Sequence, residues 1–368
     1  MAGRFFQKFR RITYSTSYLP EVDGLRFLAI FSVVVIMHIT GYLNQKFYGD
    51  SFITDEYWQQ IVLGGGGGVS LFFMISGFIL SLPFAGWRFK NGKKVSLRHY
   101  YLRRLTRLEP PYILALILLF IAQVWLLGKY SFDQLLPHFF ASVFYVHTFI
   151  YDSFSWILPV AWSLEVEVQF YLLAPIFFTI FLIPHKWWRW LICLVIIITG
   201  AIYWANNFTT PHVFKFLHFF FCGILLADHY TNGVMIIKNQ RLALFVGIAA
   251  LAGYIFIPSI ISLEAYLLRV ACMFLLFHTV LTNPLLKKIF SMEFAVIIGG
   301  MCYSIYLLHF AIVAFTGQLL LRSGIQWSDS RLFIPLAILM AAMVLLFSSI
   351  YFILVEKPFM KPFSFLKR

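Results

Sequence analysis

Residues 61–84 read IVLGGGGGVSLFFMISGFILSLPF, a run of 24 without one charged side chain. About 20 apolar residues in a helix suffice to cross a hydrocarbon core of about 30 Å. Inside a bilayer such a segment must be helical, because only a helix satisfies its backbone N–H and C=O groups within one segment. Comparable runs recur along the chain. With 61% of residues hydrophobic and only 12% charged, there is too little polar surface to cover a water-soluble globule. The pattern predicts an all-α, polytopic membrane bundle almost from end to end.

Ten spans are expected, at 25–44, 61–84, 109–128, 161–183, 188–206, 212–229, 242–258, 262–281, 293–320 and 331–355. A basic amino-terminal segment (1–24) precedes the membrane domain (25–355), and a basic tail (356–368) follows it. Residues 1–24 lack the small-residue cleavage pattern of a secretory signal, so the first apolar run is expected to stay as a helix. With both termini cytoplasmic, the cytoplasmic segments hold 22 of the 29 Lys and Arg residues, and this asymmetry sets the orientation. Lys94, Lys186 and Lys287 are then inside, and Lys129 and Trp327 outside. The 17 residues Leu135–Tyr151 are at the lower limit for a crossing. If they crossed, Lys186, Arg189 and the basic tail could not all lie inside, so an outer re-entrant or interfacial segment is expected.

The net charge of +14 does not point to nucleic acid, since the basic residues sit between apolar runs as topology requires. The partner is membrane lipid. Cys193, Cys222, Cys272 and Cys302 all fall in apolar runs, where a thiol behaves as a small hydrophobe, and suggest neither a disulfide framework nor a metal site.

An ionisable group in hydrocarbon is costly, so each one inside a span is a functional candidate. His38, Glu167, Arg269 and His309 qualify. At about 1.5 Å per residue, His38 and Glu167 each lie about 9 Å from the outer end of their spans, with Arg269 and His309 about 10 and 16 Å deep. Each alone reads as a hydrogen-bonding residue of the bundle interior; two histidines and a carboxylate in one layer favour a site. Imidazole can take a proton from a hydroxyl near neutral pH while a carboxylate orients the ring, so His38 with Glu167 is a general-base pair on this reading. Arg98, His99, Arg103, Arg104 and Arg107 stand just before Pro110-Pro111, where a break is expected. Guanidinium groups clamp phosphate oxygens, so this stretch suits a phosphorylated donor such as coenzyme A; it also fits topology and anionic lipid alone. Gly64–Gly68 weaken a helix and call for close helix approach, a ligand against bare backbone, or a hinge. They do not form a nucleotide P-loop.

Six stretches in order through the chain resemble the acyltransferase-3 family of integral membrane acyltransferases, which includes O-acetyltransferases of bacterial surface polysaccharides. They are Glu21-Val22-Asp23-Gly24-Leu25-Arg26 leading to His38; Gly68 to Phe78; Arg103 to Tyr112; Trp162-Ser163-Leu164-Glu165-Val166-Glu167; Tyr303-Ser304-Ile305-Tyr306-Leu307-Leu308-His309; and Glu356-Lys357-Pro358. The resemblance implies ten core helices, an acyl-CoA donor entering from the cytoplasm, and His38 as the catalytic residue. Arg26 is implied as its first-motif partner, and Arg26, Arg103, Arg104 and Arg107 as the donor-binding set. Glu167 stands in the place of the acidic residue of the Trp-Ser-Leu motif. Trp162, Ser163, Arg269, Tyr303, Tyr306 and His309 complete the site as candidate substrate contacts. One departure bears on geometry. The family usually has ten residues between that Arg and His; here Phe27 to Met37 makes eleven. An 11-position separation returns to nearly the same helix face, whereas 12 positions turn the pair about 120° apart. Either a π-bulge absorbs the extra residue, or Arg26 does not act with His38.

The expected activity is O-acylation, with acetyl as the expected group, of a glycan or glycolipid hydroxyl at the outer face of a bacterial cytoplasmic membrane. No permanently bound cofactor or metal is expected. The rival reading is a proton-coupled transporter or flippase of a polar or glycan substrate, whose buried His and Glu relay protons. With no soluble domain after the last span, transfer to a distant acceptor would need another protein.

Overall fold

The structure, a computed structural model, describes residues 8–12, 18–206, 211–258, 262–323 and 329–360. Trp327 and most of the carboxyl-terminal tail lie outside them. In chain order the first span is α1 (Pro20–Phe31), a π-helical stretch (Ser32–Ile39) and α2 (Thr40–Phe47). Next come α3 (Glu56–Gly64), α4 (Gly67–Phe89) and α5 (Leu97–Ile121), then two short helices, α6 (Phe132–Val143) and α7 (His147–Tyr151). The bundle continues with α8 (Trp162–Phe177), α9 (Lys186–Asn206), α10 (Val213–Thr231), α11 (Gln240–Phe256) and α12 (Leu263–Thr282). It closes with α13 (Pro284–Phe290), α14 (Glu293–Gly300), α15 (Cys302–Arg322), α16 (Phe333–Tyr351) and α17 (Lys357–Phe359). Among the described residues there is no strand, so the protein is an all-α polytopic bundle.

Nine helices among the described residues are long and apolar enough to cross a membrane. The other expected span, at 242–258, is the 17-residue α11, which at about 1.5 Å per residue reaches about 25 Å. Helix α10 sits at the centre, with 72% of its apolar window buried, against 22% for the peripheral α9. It packs most extensively on α4. The cause is paired glycines: a Cβ on Gly77 would stand 2.2 Å from the Phe220 carbonyl oxygen, and one on Gly223 would stand 2.1 Å from that of Met74. Small residues let membrane helices approach backbone to backbone, which hydrophobicity alone cannot drive in lipid.

Three expectations need correction. The span at 293–320 is broken at Met301, because Gly299-Gly300 end α14; a Cβ on Gly299 would lie 1.8 Å from the Asp23 carbonyl oxygen. The helix expected at 109 begins at Leu97 and runs through Pro110 and Pro111 without a break. Interior prolines remove backbone donors, but this stretch is fastened from outside by Tyr303, whose hydroxyl bonds Leu108 O at 2.9 Å, and by Tyr351 to Pro111 O at 2.5 Å. The third concerns the single span expected at 61–84, which is two helices, α3 and α4, joined by a turn at Gly65-Gly66, where the glycine run was read as a close approach, a ligand contact or a hinge.

The stretch Leu135–Tyr151 is two helices of 12 and 5 residues, each too short to cross. Ser131 and Gln134 form a capping box at its start. Tyr145 (φ 57°) and Asp152 (φ 47°) adopt the left-handed conformation that ends each helix. It docks on the bundle through Glu165, which accepts from Thr148 N at 3.0 Å and Thr148 Oγ1 at 2.5 Å. His138 Nδ1 meets His147 Nε2 at 2.8 Å, and the His138 ring stacks on Trp156. Burial lowers the pKa of both rings.

Candidate active site

The π-helical stretch lies between Arg26 and His38, where the extra residue of the first motif falls. A π turn holds about one residue more than an α turn, so one such turn turns a 12-position separation back towards a common face. Thr40 helps to hold the wider turn by donating to the Val35 carbonyl at 2.9 Å. Both side chains then face α15. Arg26 lines one cavity with Cys302, and His38 Nδ1 is 2.9 Å from His309 Nε2. Cys302 and His309 are seven positions apart, or about 20° from the same face of a helix.

The bent Gly64–Gly68 span backs this stretch. A Cβ on Gly65 would come within 2.6 Å of Ser32 O and 2.9 Å of Met37 N, so close approach to the π-helix is what excludes side chains there. Arg269 closes the other side of the glycine run: its Nη2 donates to Gly64 O at 2.5 Å and its Nε to Tyr254 O at 3.1 Å. Arg269 does not line the cavity that Arg26 faces. It braces the glycine run that packs against the π-helical stretch.

The protonation of the histidine pair follows from its partners. His309 Nδ1 lies 2.8 Å from Tyr306 O and 3.2 Å from Ile305 O. Carbonyls only accept, so His309 carries its proton on Nδ1 and presents a lone pair at Nε2. That lone pair accepts the Nδ1–H of His38, whose ring also bonds the Val33 backbone, and in this tautomer His38 Nε2 carries the basic lone pair.

A partly open cavity, whose empty space together with the adjoining solvent is about 920 Å³, lies beside this pair. Its polar lining is Arg26, Ser76, Arg104, Arg107, Ser163, Glu167, Tyr171, Tyr303 and Tyr306. Glu167 is held by Ser76, whose hydroxyl donates at 2.5 Å, and by the Tyr171 hydroxyl. The Ser163 and Tyr306 hydroxyls are 2.7 Å apart at the inner end, and the Tyr306 ring centroid is 5.6 Å from that of His309. The cavity thus approaches the histidine pair within one helical turn of α15.

The sequence-expected residues divide on this geometry. Arg26, Arg104, Arg107, Glu167, Ser163, Tyr303 and Tyr306 come together in the cavity wall, while His38 and His309 meet next to it. The expected His38–Glu167 contact is absent: His38 bonds His309, and Glu167 bonds Ser76 and Tyr171. Arg103 is exposed, folds its Nε back to His99 O at 3.1 Å, and does not line the cavity. Trp162 packs against Phe73 and Phe216 behind the wall. Ser76 and Tyr171 were missed as partners of Glu167; the i, i+4 spacing of Glu167 and Tyr171 was the available signal.

The chain belongs to the acyltransferase-3 family, whose acyltransferase domain matches residues 19–353. It is similar to the peptidoglycan O-acetyltransferase OatA of Listeria monocytogenes, 25% identical over an alignment of 346 positions that covers 84% of this chain and 52% of the relative. The O-acetyltransferase OatA of Staphylococcus aureus strain NCTC 8325 is 24% identical over an alignment of 335 positions that covers 83% of this chain and 52% of the relative. A further relative, from Staphylococcus aureus strain COL, is 24% identical over an alignment of 395 positions that covers 97% of this chain and 59% of the relative. The chain therefore spans between half and three fifths of the curated relatives it matches. No solved structure matches it. It is an integral membrane protein of an acyltransferase family.

Proposed function

We propose that this protein transfers an acyl group, acetyl by analogy with the names of its relatives, from acyl-CoA to a hydroxyl of a carbohydrate-type acceptor. The observation that carries the reading is the His38–His309 pair, one helical turn from a cavity lined by three guanidinium groups. The donor's phosphates meet Arg26, Arg104 and Arg107, and its thioester points inward to Ser163 and Tyr306. The acceptor hydroxyl approaches from the opposite face. His38 Nε2 takes its proton as the oxygen attacks the thioester carbonyl, and His309 Nε2 steadies the imidazolium through the shared Nδ1–H. The C–S bond then breaks, and the proton passes to the departing thiolate. The products are the ester and free coenzyme A.

The test is purified protein in lipid vesicles given acetyl-CoA labelled in the acetyl group, with peptidoglycan fragments or surface polysaccharide as acceptor. Base-labile label on the glycan is expected; label that never leaves coenzyme A would overturn the reading. Arg104→Ala with Arg107→Ala should raise the KM for acyl-CoA by on the order of 10-fold or more, the loss expected for charge-assisted phosphate contacts, and wild-type affinity should fall with salt. Arg103→Ala should leave KM unchanged. An equal effect of Arg103→Ala would show that the basic stretch acts as a diffuse charge and not as a site.

Acceptor access from the opposite face presupposes the orientation argued from charge, in a bacterial cytoplasmic membrane with both termini inside. Single cysteines placed at Lys94, Lys129, Lys186 and Lys287 in a background without the four native thiols read it directly. An impermeant thiol reagent added outside should label only position 129. Labelling at 186 would mean that the short helices α6 and α7 cross after all.

A further inference from the structure

Residues 8–12 lie across one end of the bundle as a strap tied to three separate helices. Lys357 Nζ on α17 donates to Lys8 O at 2.5 Å, Arg10 Nη2 pairs with Glu293 on α14 at 3.0 Å, and Arg11 Nε stands 2.9 Å from Asp23 Oδ2 on α1. The ties differ in kind. Arg10 and Glu293 are more than half exposed, where an ion pair contributes little. The Arg11 side chain is only 12% exposed and Asp23 is fully buried. Taking a guanidinium out of water is costly and needs a reason.

Neutralising Asp23 does not supply one. Its other oxygen already holds Arg26 Nη1 at 2.5 Å, and Tyr18 donates to Oδ2 at 2.8 Å. Two guanidinium groups thus share one carboxylate, and Arg107 adds its charge to the same region. The nearby Glu356, whose Oε2 accepts from the Ser304 N–H and hydroxyl, is the second carboxylate facing Arg11 and Arg107. Burial and then Arg26 push the Arg11 pKa down to about 10, with Asp23 offsetting only part of this and Arg107 lowering it further. Arg11 is not itself in the cavity lining; it reaches the cavity through Asp23 and Arg26, and three guanidinium groups, Arg11, Arg26 and Arg107, stand against two carboxylates, Asp23 and Glu356.

The geometry points to Arg11 as a further donor-binding residue, held by the strap so that it takes the phosphates of coenzyme A together with Arg26 and Arg107. This rests on the acyl-CoA reading above. A diphosphate brings the negative charge that the cluster lacks, and guanidinium groups recognise it bidentately. Asp23 grips Arg11 and Arg26 from one side and so pre-orders both for the anion.

The experiment measures binding of coenzyme A and of pantetheine, which keeps the thiol arm and lacks the phosphates, to the purified full-length protein. Wild type should bind coenzyme A at least about tenfold more tightly, since a bidentate charge-assisted contact is of that order. Arg11→Ala should weaken coenzyme A about tenfold and leave pantetheine unchanged, with Arg11→Lys intermediate. Arg10→Ala should change neither. If Arg11→Ala keeps the wild-type ratio, weakens both ligands equally, or is matched by Arg10→Ala, the assignment is overturned and Arg11 is only a structural tie. Where Arg11→Ala does not accumulate, Arg11→Gln is read by the same criteria. A wild type that binds coenzyme A no better than pantetheine defeats the acyl-CoA reading itself, which separates the two failures.

Discussion

Replacing His38 with alanine is expected to lower acyl transfer by about 10³-fold, the middle of the range for losing a positioned general base, while the protein still inserts and accumulates. The ring is half-buried and bonds only neutral groups, the His309 ring and the Val33 backbone, so its loss leaves no buried charge behind. His309→Gln should cost less, about 10²-fold. It replaces the ring lone pair that fixes the His38 proton on Nδ1 with an amide that can present either its oxygen or its NH2 there, so the tautomer is held less firmly while the base itself remains. The order of the two variants is the informative part. A His309 variant as inactive as His38→Ala would make His309 the base, and normal product from His38→Ala would remove the base assignment altogether. Neither change should alter coenzyme A affinity, because neither ring lines the Arg-rich cavity.

What could be read in advance, and what could not, follows from the kind of information each residue carries. Span length and charge asymmetry are one-dimensional, and the bundle is therefore legible in the chain; so is the shortness of Leu135–Tyr151. The one extra residue between Arg26 and His38 was a legible irregularity, and the π-helix at Ser32–Ile39 is its structural form. Azimuth around each helix was not legible. Counting 1.5 Å per residue placed His38, Glu167 and His309 in one part of the membrane without saying which faces which. Glu167 was measured from the start of its apolar run, whereas the start of α8 is itself covered by the docked segment that Glu165 anchors. In the structure Glu167 faces the Arg-lined cavity and His38 faces α15. The prolines of α5 misled for another reason. Local chemistry predicts a break there, and it is the Tyr303 and Tyr351 hydroxyls, from nearly two hundred residues or more along the chain, that fasten the helix. Arg11 was hidden because a basic residue before a first span is already accounted for by topology.

The two carboxylates of α8 give the second large expected effect. Glu165 and Glu167 are two positions apart, about 200° around the helix, and the structure sends them to different neighbours. Glu167 faces the cavity with Arg26, Arg104 and Arg107, and holds the Ser76 and Tyr171 hydroxyls. Glu165 is turned to the Thr148 amide and hydroxyl, away from the cavity lining. Glu167→Gln removes the negative charge that balances the guanidinium cluster, and its amide must donate where the carboxylate only accepted. It should lower kcat/KM for the donor by about 10²-fold, equal to roughly 2.7 kcal/mol of transition-state stabilisation. Glu165→Gln keeps an oxygen that can accept from Thr148, so turnover should change less than about threefold. Its cost should instead appear in stability, about 1–3 kcal/mol from a weakened buried contact, read as a lower melting temperature and as earlier proteolysis between α6 and α8. Kinetics and melting measured on both variants decide the matter. If Glu165→Gln is the slower enzyme and Glu167→Gln the less stable protein, the Arg-lined cavity is not where the donor sits.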